Sequence, residues 1–205
     1  MAYQVKEIFY SLQGEGANTG CAAVFCRFVG CNLWSGQEKD RADAVCDFCD
    51  TDFVGGEKYA DADKLAKAIL NAWPPDAEYR FVIFTGGEPA LQLDEDLVEA
   101  LLNRDFTVAI ESNGTVKLAK GLDWICISPK GNQPLKVTKG NEIKLVYPQV
   151  DNDPRDFEKM DFGHFYLQPM AGPNEAENLK LAMDYCLSHP QWRLSLQTHK
   201  LLNIR

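Results

Sequence analysis

Arg80-Phe-Val-Ile-Phe-Thr85 runs straight into Gly86-Gly87-Glu88-Pro89. Five consecutive β-branched or aromatic residues read as a strand, and the run ends in groups able to touch a ligand. The pattern recurs along the chain. Thr107-Val-Ala-Ile-Glu111 ends in Ser112-Asn113-Gly114, Asp123-Trp-Ile-Cys-Ile-Ser128 in Pro129-Lys130, and Phe165-Tyr-Leu-Gln168 in Pro169-Met170. Residues 142–147 are a further strand stopped by Pro148, and 192–197 a last one before Thr198-His199-Lys200. Upstream, Ala23–Val29 is a buried-strand run, and a strand-like stretch from Val5 turns glycine-rich at Gln13-Gly14-Glu15-Gly16, in isolation a plain hairpin turn. Apolar residues at helical spacing predict helices over 61–72 (Leu65, Ala68, Ile69, Ala72) and 94–104 (Leu97, Leu101, Leu102), with another over 175–188. Helices alternating with strands predict a mainly parallel sheet with crossover connections. In a parallel barrel all strand C-termini share the face that holds the active site. The helices are too few for eight repeats. The expected fold is therefore α/β, a partial, open TIM-like barrel forming one domain over 1–205, without repeat or linker.

Between the strand at 23–29 and the first helix lies Cys31-Asn-Leu-Trp-Ser-Gly-Gln-Glu-Lys-Asp-Arg-Ala-Asp-Ala-Val-Cys46-Asp-Phe-Cys49-Asp-Thr-Asp-Phe53. C-x-x-C puts two sulfurs on one side of a tight turn, close enough to share one metal centre. Structural zinc wants four closed ligands, usually as two knuckles; one knuckle and one single cysteine are present, so a zinc site needs Cys21 or Cys26 to complete it. Three thiolates instead suit a 4Fe–4S cluster whose fourth iron stays open to chelate a small molecule. Cys21, Cys26, Cys126 and Cys186 read as small buried hydrophobes. Arg27, a charge inside a buried strand, is either structurally paired or aimed at an anionic ligand.

Composition narrows the class. Seven cysteines without a secretory signal point to reduced thiols and metal ligation. A net charge of −9 argues against tight phosphate-driven nucleic-acid binding. No apolar run approaches a membrane span, and Met-Ala-Tyr-Gln-Val-Lys-Glu lacks the apolar core of a signal peptide. The expected compartment is cytoplasmic.

The Gly86-Gly87-Glu88-Pro89 stretch after a strand, together with a three-cysteine loop after the first core strand, resembles the radical S-adenosylmethionine (SAM) superfamily. That superfamily's usual spacing is C-x3-C-x2-C, whereas the spacing here is C-x14-C-x2-C. Leu12-Gln-Gly-Glu-Gly16, Arg27-Phe-Val-Gly-Cys-Asn-Leu33 and Cys49-Asp50-Thr51 are similar to the 7-carboxy-7-deazaguanine synthase family, some of whose members carry an enlarged cluster loop, here 31–49. The likeness continues through Glu111-Ser-Asn-Gly, Ser128-Pro-Lys, Gln168-Pro and Gln197-Thr-His-Lys, over essentially the whole chain.

That resemblance implies a ring-contracting lyase converting 6-carboxy-5,6,7,8-tetrahydropterin to 7-carboxy-7-deazaguanine and ammonia, in the biosynthesis of 7-deazapurines such as queuosine. It implies Cys31, Cys46 and Cys49 as ligands of one 4Fe–4S cluster, and Thr51 as a magnesium contact; a hydroxyl suits magnesium, which keeps waters and substrate oxygens. Phe48, Asp50 and Gly87 would meet SAM, as would Ser128, Pro129 and Lys130 on the next loop. Gln168, Pro169, Met170 and Ala171 complete that set, with Glu88, Glu111 and Asn113 also mapped to it. Leu12, Gln13, Gly14, Arg27 and Thr85 map onto substrate binding, and the terminal carboxylate of Arg205 is a further contact. His199 reads as a structural polar residue. A homodimer and an electron donor such as flavodoxin are expected from the family, with no nucleic acid and no membrane. Two other functions compete: a radical SAM activase acting on a protein partner, and a non-catalytic zinc-binding module. The charged insertion from Gly36 to Val45 has three readings: a helix over the cluster, a docking surface for the reductant, or a solvated loop.

Overall fold

Alternation along a strand divides its side chains between two faces, and the division here is by chemistry. The computed structural model describes residues 2–205. Strands β1 (Tyr3–Leu12), β2 (Ala22–Phe28), β3 (Glu57–Tyr59), β4 (Phe81–Gly86), β5 (Thr107–Ser112), β6 (Trp124–Ile127), β7 (Lys139–Tyr147), β8 (Asp161–Pro169) and β9 (Trp192–Leu194) form one sheet ordered β3-β1-β2-β4-β5-β6-β7-β8-β9. From β2 to β9 every pairing is parallel; β1 runs antiparallel to β2 and to β3. Since β3 and β9 end the order, the barrel is open, as the scarcity of helices predicts.

One face is apolar and covered by helices. Val24, Cys26 and Phe28 of β2, Val82 and Phe84 of β4, and Val108 and Ile110 of β5 pack with α1 (Ala62–Ala72) and α2 (Glu95–Leu102) through Leu65, Ile69, Leu97 and Leu101. Ile143 and Leu145 of β7 and Phe165 and Leu167 of β8 pack with Trp192 and with Ala182 of α3 (Glu175–Ser188). Each large side chain so buried stabilises by about 1.5–3 kcal/mol. Asp61 caps α1 by accepting from the Lys64 N–H. Asp94 caps α2 and also accepts from the Tyr3 hydroxyl at 2.6 Å, fixing the helix to β1. Such caps contribute about 1 kcal/mol each.

The opposite face begins with the small cluster Ala23, Ile83 and Ala109. Further toward the C-terminal ends, the same face carries Arg27, Thr85 and Glu111, joined by Lys144 and Gln168. Parity thus delivers the polar groups to one side of the sheet.

Some boundaries differ from the sequence reading. β7 and β8 start earlier, at Lys139 and Asp161. The last strand stops at Leu194, because Ser195 turns inward to accept from the Gly16 N–H at 2.9 Å, and Thr198–Leu202 is a short helix, α4. Glu57–Tyr59 pairs at the sheet edge without an apolar alternation to announce it. Within the Gly36–Val45 insertion, Glu38–Asp43 forms a single 3-10 segment.

Candidate active site

The exits of β2 and β4 approach so closely that side chains are excluded. A Cβ on Gly87 would lie 1.9 Å from the Gly30 carbonyl oxygen; Gly86 has φ +122°, and a Cβ there would lie 2.3 Å from the Phe28 oxygen. The Glu88 N–H donates to the same Gly30 oxygen at 2.8 Å. The glycine pair therefore locks the turn after β4 onto the strand leading to Cys31. Glu88 then turns inward and is fully buried. Its carboxylate accepts from Ser112 Oγ and the Asn113 N–H at 2.7 Å, and from the Ala90 N–H at 2.9 Å. Burial pushes its pKa up, against those hydrogen bonds.

These exits frame a cavity of about 480 Å³. Cys31, Cys46 and Cys49 all line it, and none is in a disulfide. Hydrogen bonding from Cys46, helped against burial by the Thr51 N–H, lowers Cys49 to about 6, whereas burial raises Cys31. A metal ligand must be the thiolate. Among the described residues no three Cys, His, Asp or Glu groups converge on a point that would hold a single metal ion. A cubane cluster takes its three thiolates on three separate irons, and three cysteines around one cavity fit it. Nor is a fourth zinc ligand at hand: Cys26 is buried in the helix-side core and Cys21 is exposed, neither of them lining the cavity.

Beside the cysteines, Lys130 Nζ donates to the Ser128 carbonyl at 2.8 Å and to its hydroxyl, and burial lowers the lysine pKa. Gln168 Oε1 is buried with no partner. Phe48, Asp50, Thr51, Gly87, Asn113, Ser128, Lys130, Gln168 and Met170 line the cavity. Glu88, Pro129, Pro169 and Ala171 do not. Glu88 was expected as a cofactor contact; its carboxylate instead ties the β4 loop to the β5 loop from behind.

The other wall is charged and aromatic. Phe9 stacks on Phe25 with centroids 5.2 Å apart. Arg27 Nε donates to Glu7 at 2.9 Å, so the arginine is structurally paired and also lines the cavity. Glu7 pairs as well with Arg205, whose guanidinium lies 4.7 Å from the Phe9 centroid. The Arg205 carbonyl accepts from Ser11 Oγ at 2.6 Å. Deeper in, Lys144 Nζ lies 2.6 Å from both Glu15 and Glu111, and Gln13 Nε2 donates to Glu111 at 2.6 Å. Burial opposes ionisation of Glu15, but Lys144 and Gln197 outweigh it and hold the carboxyl at about 2. The same two carboxylates push Lys144 well above its ordinary pKa despite burial.

Glu111 thus stands with Gln13 and Lys144, on the side expected to take substrate. Leu12, Gln13, Gly14, Arg27, Thr85 and Arg205 are all brought together on this side. His199 also reaches it: a Cβ on Gly14 would lie 2.2 Å from the His199 ring. Sequence reasoning missed Phe9, Phe25, Glu7, Glu15 and Lys144. For Lys144 a signal existed, a lone charge between Ile143 and Leu145, the same signal that singled out Arg27.

Comparison with known proteins agrees with this geometry. Residues 41–147 match the model of the radical SAM superfamily. The chain is 59% identical to the 7-carboxy-7-deazaguanine synthase of Burkholderia multivorans and 57% identical to that of Bradyrhizobium diazoefficiens, over all of both chains in each case. The crystal structure of QueE from Escherichia coli superposes with a TM-score of 0.70 at 26% identity, covering 96% of this chain and 94% of that one.

Proposed function

The chain belongs to the 7-carboxy-7-deazaguanine synthase family of the radical SAM superfamily, and from that premise we infer how its residues divide the work. The enzyme is a radical SAM lyase that makes 7-carboxy-7-deazaguanine. When bound, the reduced 4Fe–4S cluster and SAM supply the hydrogen-abstracting radical chemistry. Cys31, Cys46 and Cys49 hold the cluster. The glycine edge at Gly87, together with Asn113, Ser128, Lys130, Gln168 and Met170, holds SAM. Lys130 is the cation for an anionic or ribose oxygen, and the unpartnered Gln168 Oε1 is an acceptor awaiting a donor. Phe48 and Asp50 flank the nucleoside.

The substrate, 6-carboxy-5,6,7,8-tetrahydropterin, occupies the wall of Leu12, Gln13 and Gly14. The carboxylates of Glu15 and Glu111 are immobilised by Lys144, so they present acceptors to the N–H groups of a pterin edge. Arg27, with its planar fork, faces a carboxylate. Thr51 provides the magnesium contact. Thr85 and Arg205 add further contacts to the substrate. Flavodoxin as electron donor, a homodimer and a cytoplasmic location complete the reading; no helix of the described residues is long and apolar enough to cross a membrane.

The observation that carries the assignment is the meeting, in one cavity, of three unpaired thiols and the Glu15–Lys144–Glu111 ion triad built on a buried lysine. A protein-activating enzyme needs an open groove, and a charged, walled cavity favours a small polar substrate instead. The test is anaerobic turnover of reconstituted protein with SAM, magnesium, a reductant and 6-carboxytetrahydropterin, followed by mass. The expected product is 7-carboxy-7-deazaguanine, absent in a Cys49→Ala variant. SAM cleavage without that product would discard the substrate assignment.

A further inference from the structure

The insertion that separates Cys31 from Cys46 is mostly exposed, yet it is tied at several points to the cysteine knuckle. Gly36 has φ +78°, and its Cα approaches so closely that a Cβ would lie 2.6 Å from Val54 Cγ2; the chain there is folded back on the segment after Cys49. Ser35 Oγ donates to Asp40 at 2.6 Å, and the Glu38–Asp43 turn follows. That turn delivers one side chain, Arg41, to the cysteine knuckle. Arg41 Nη1 donates to the Asp47 carbonyl at 2.7 Å and to the Cys49 carbonyl at 3.0 Å. Its Nε donates to both carboxylate oxygens of Glu38, at 2.8 and 2.9 Å. Its guanidinium carbon lies 4.2 Å above the Trp34 ring, and Trp34 is held edge-on against Phe53 at 5.6 Å. Trp34 lines the same cavity as the three cysteines. One arginine therefore bridges the Cys31 side of the loop, through Trp34, to the C-x-x-C side, through two backbone carbonyls.

We propose that Arg41 is a positioning residue for the iron–sulfur cluster: its fork fixes the C-x-x-C turn, and its charge, set beside the Cys46 and Cys49 ligands, raises the reduction potential of the cluster. The proposal rests on the assignment of Cys31, Cys46 and Cys49 as cluster ligands. It gives the enlarged loop a task, since a three-residue spacing between the first two cysteines has no room for such a clasp. The physical grounds are general. Groups around the primary ligands orient them and tune the metal. Net local charge and burial are among the terms that set an iron–sulfur potential. A permanent cation favours the cluster state with one more electron. Glu38 offsets part of that charge, but it is the more exposed partner, at 77% against 29% for Arg41, and bulk water screens it more strongly.

The test compares Arg41→Gln and Arg41→Lys with the unaltered enzyme, each reconstituted anaerobically and counted for iron. Two quantities are read: the midpoint potential, from a redox titration followed by electron paramagnetic resonance, and the rate of iron loss to a chelator. In Arg41→Gln the one-electron reduction is expected to be about tenfold less favourable, which is ~59 mV lower, and iron loss faster. In Arg41→Lys the charge stays while the fork is gone, so the potential stays within about a third of that shift and iron loss is still faster. An unshifted potential in Arg41→Gln overturns the proposal. Should Arg41→Gln hold no cluster, Arg41→Lys decides: wild-type iron retention there overturns the clasp. Failure of the ligand assignment itself would show separately, as full iron content in Cys49→Ala.

Discussion

At the scale of single residues, the site depends on atoms that are missing as much as on those present. A methyl group at position 87 would sit 1.9 Å from a backbone oxygen, where no rotamer change relieves it. Gly87→Ala is therefore expected to push the β4 exit away from Gly30 and cost about 1–3 kcal/mol. For a chain of this size that lowers Tm by about 2–4 °C per kcal/mol, and calorimetry checks it. SAM binding should weaken in parallel, read by equilibrium dialysis. A melting curve identical to that of the unaltered protein would refute the tight approach. The glycine pair and the three cysteines were legible in the sequence because glycine and C-x-x-C each imply a backbone geometry. Glu88 was not. Its neighbours in sequence give no indication that the carboxylate turns inward to accept from Ala90, Ser112 and Asn113; two of those donors arrive from β5 and its exit, more than twenty residues away in the chain.

At the scale of elements, the informative strand is β7. Ile143 and Leu145 belong to the helix-side core, while Glu142 and Lys144, one pleat apart on the other face, are both buried. A buried lysine is tolerable only with its charge matched, and Glu15 and Glu111 supply the match. Lys144→Met removes the cation and leaves two carboxylates facing each other. The expected loss is ~3–5 kcal/mol, measured by denaturant unfolding, with turnover falling as well. The acid limb of stability carries a second signature. The folded pKa of Glu15, about 2, lies below its ordinary 4.5, so its contribution is complete above that ordinary value and is lost as pH falls toward 2. In Glu15→Gln the stability curve should flatten between those limits, in a pH series of urea melts. Strand identity and direction followed from the apolar runs, since β-branched residues ending in turn residues have few other fates. The Glu57–Tyr59 edge strand and helix α4 escaped notice because their residues carry no periodicity; both are set by tertiary pairing, at β1 and at Gly14 respectively.

At the scale of the whole molecule, the open barrel leaves its cavity walled by loops from both halves of the sheet, so filling the cavity should tighten the entire fold. A cluster and SAM that bind the folded chain at a hundred times their Kd add about 2.7 kcal/mol for each ligand. Anaerobic loading is accordingly expected to raise Tm by several degrees over the cluster-free protein, and removal of iron by a chelator to reverse it; equal melting temperatures would contradict the placement of the cysteines inside the cavity. The barrel's seam has a separate consequence. Among the described residues no strand pairing joins β9 to β1. Instead Thr198 donates twice to the Gly14 carbonyl, the Gly16 N–H donates to Ser195, and Ser11 donates to Arg205. Each of these bonds spans 179 to 194 residues of chain. Contacts of such separation form late, after the closure of every intervening loop. During translation, then, the Gly14 carbonyl and the Gly16 amide wait without these partners until residues 195–205 have left the ribosome, and the compartment for radical chemistry is sealed long after its first strand has been made.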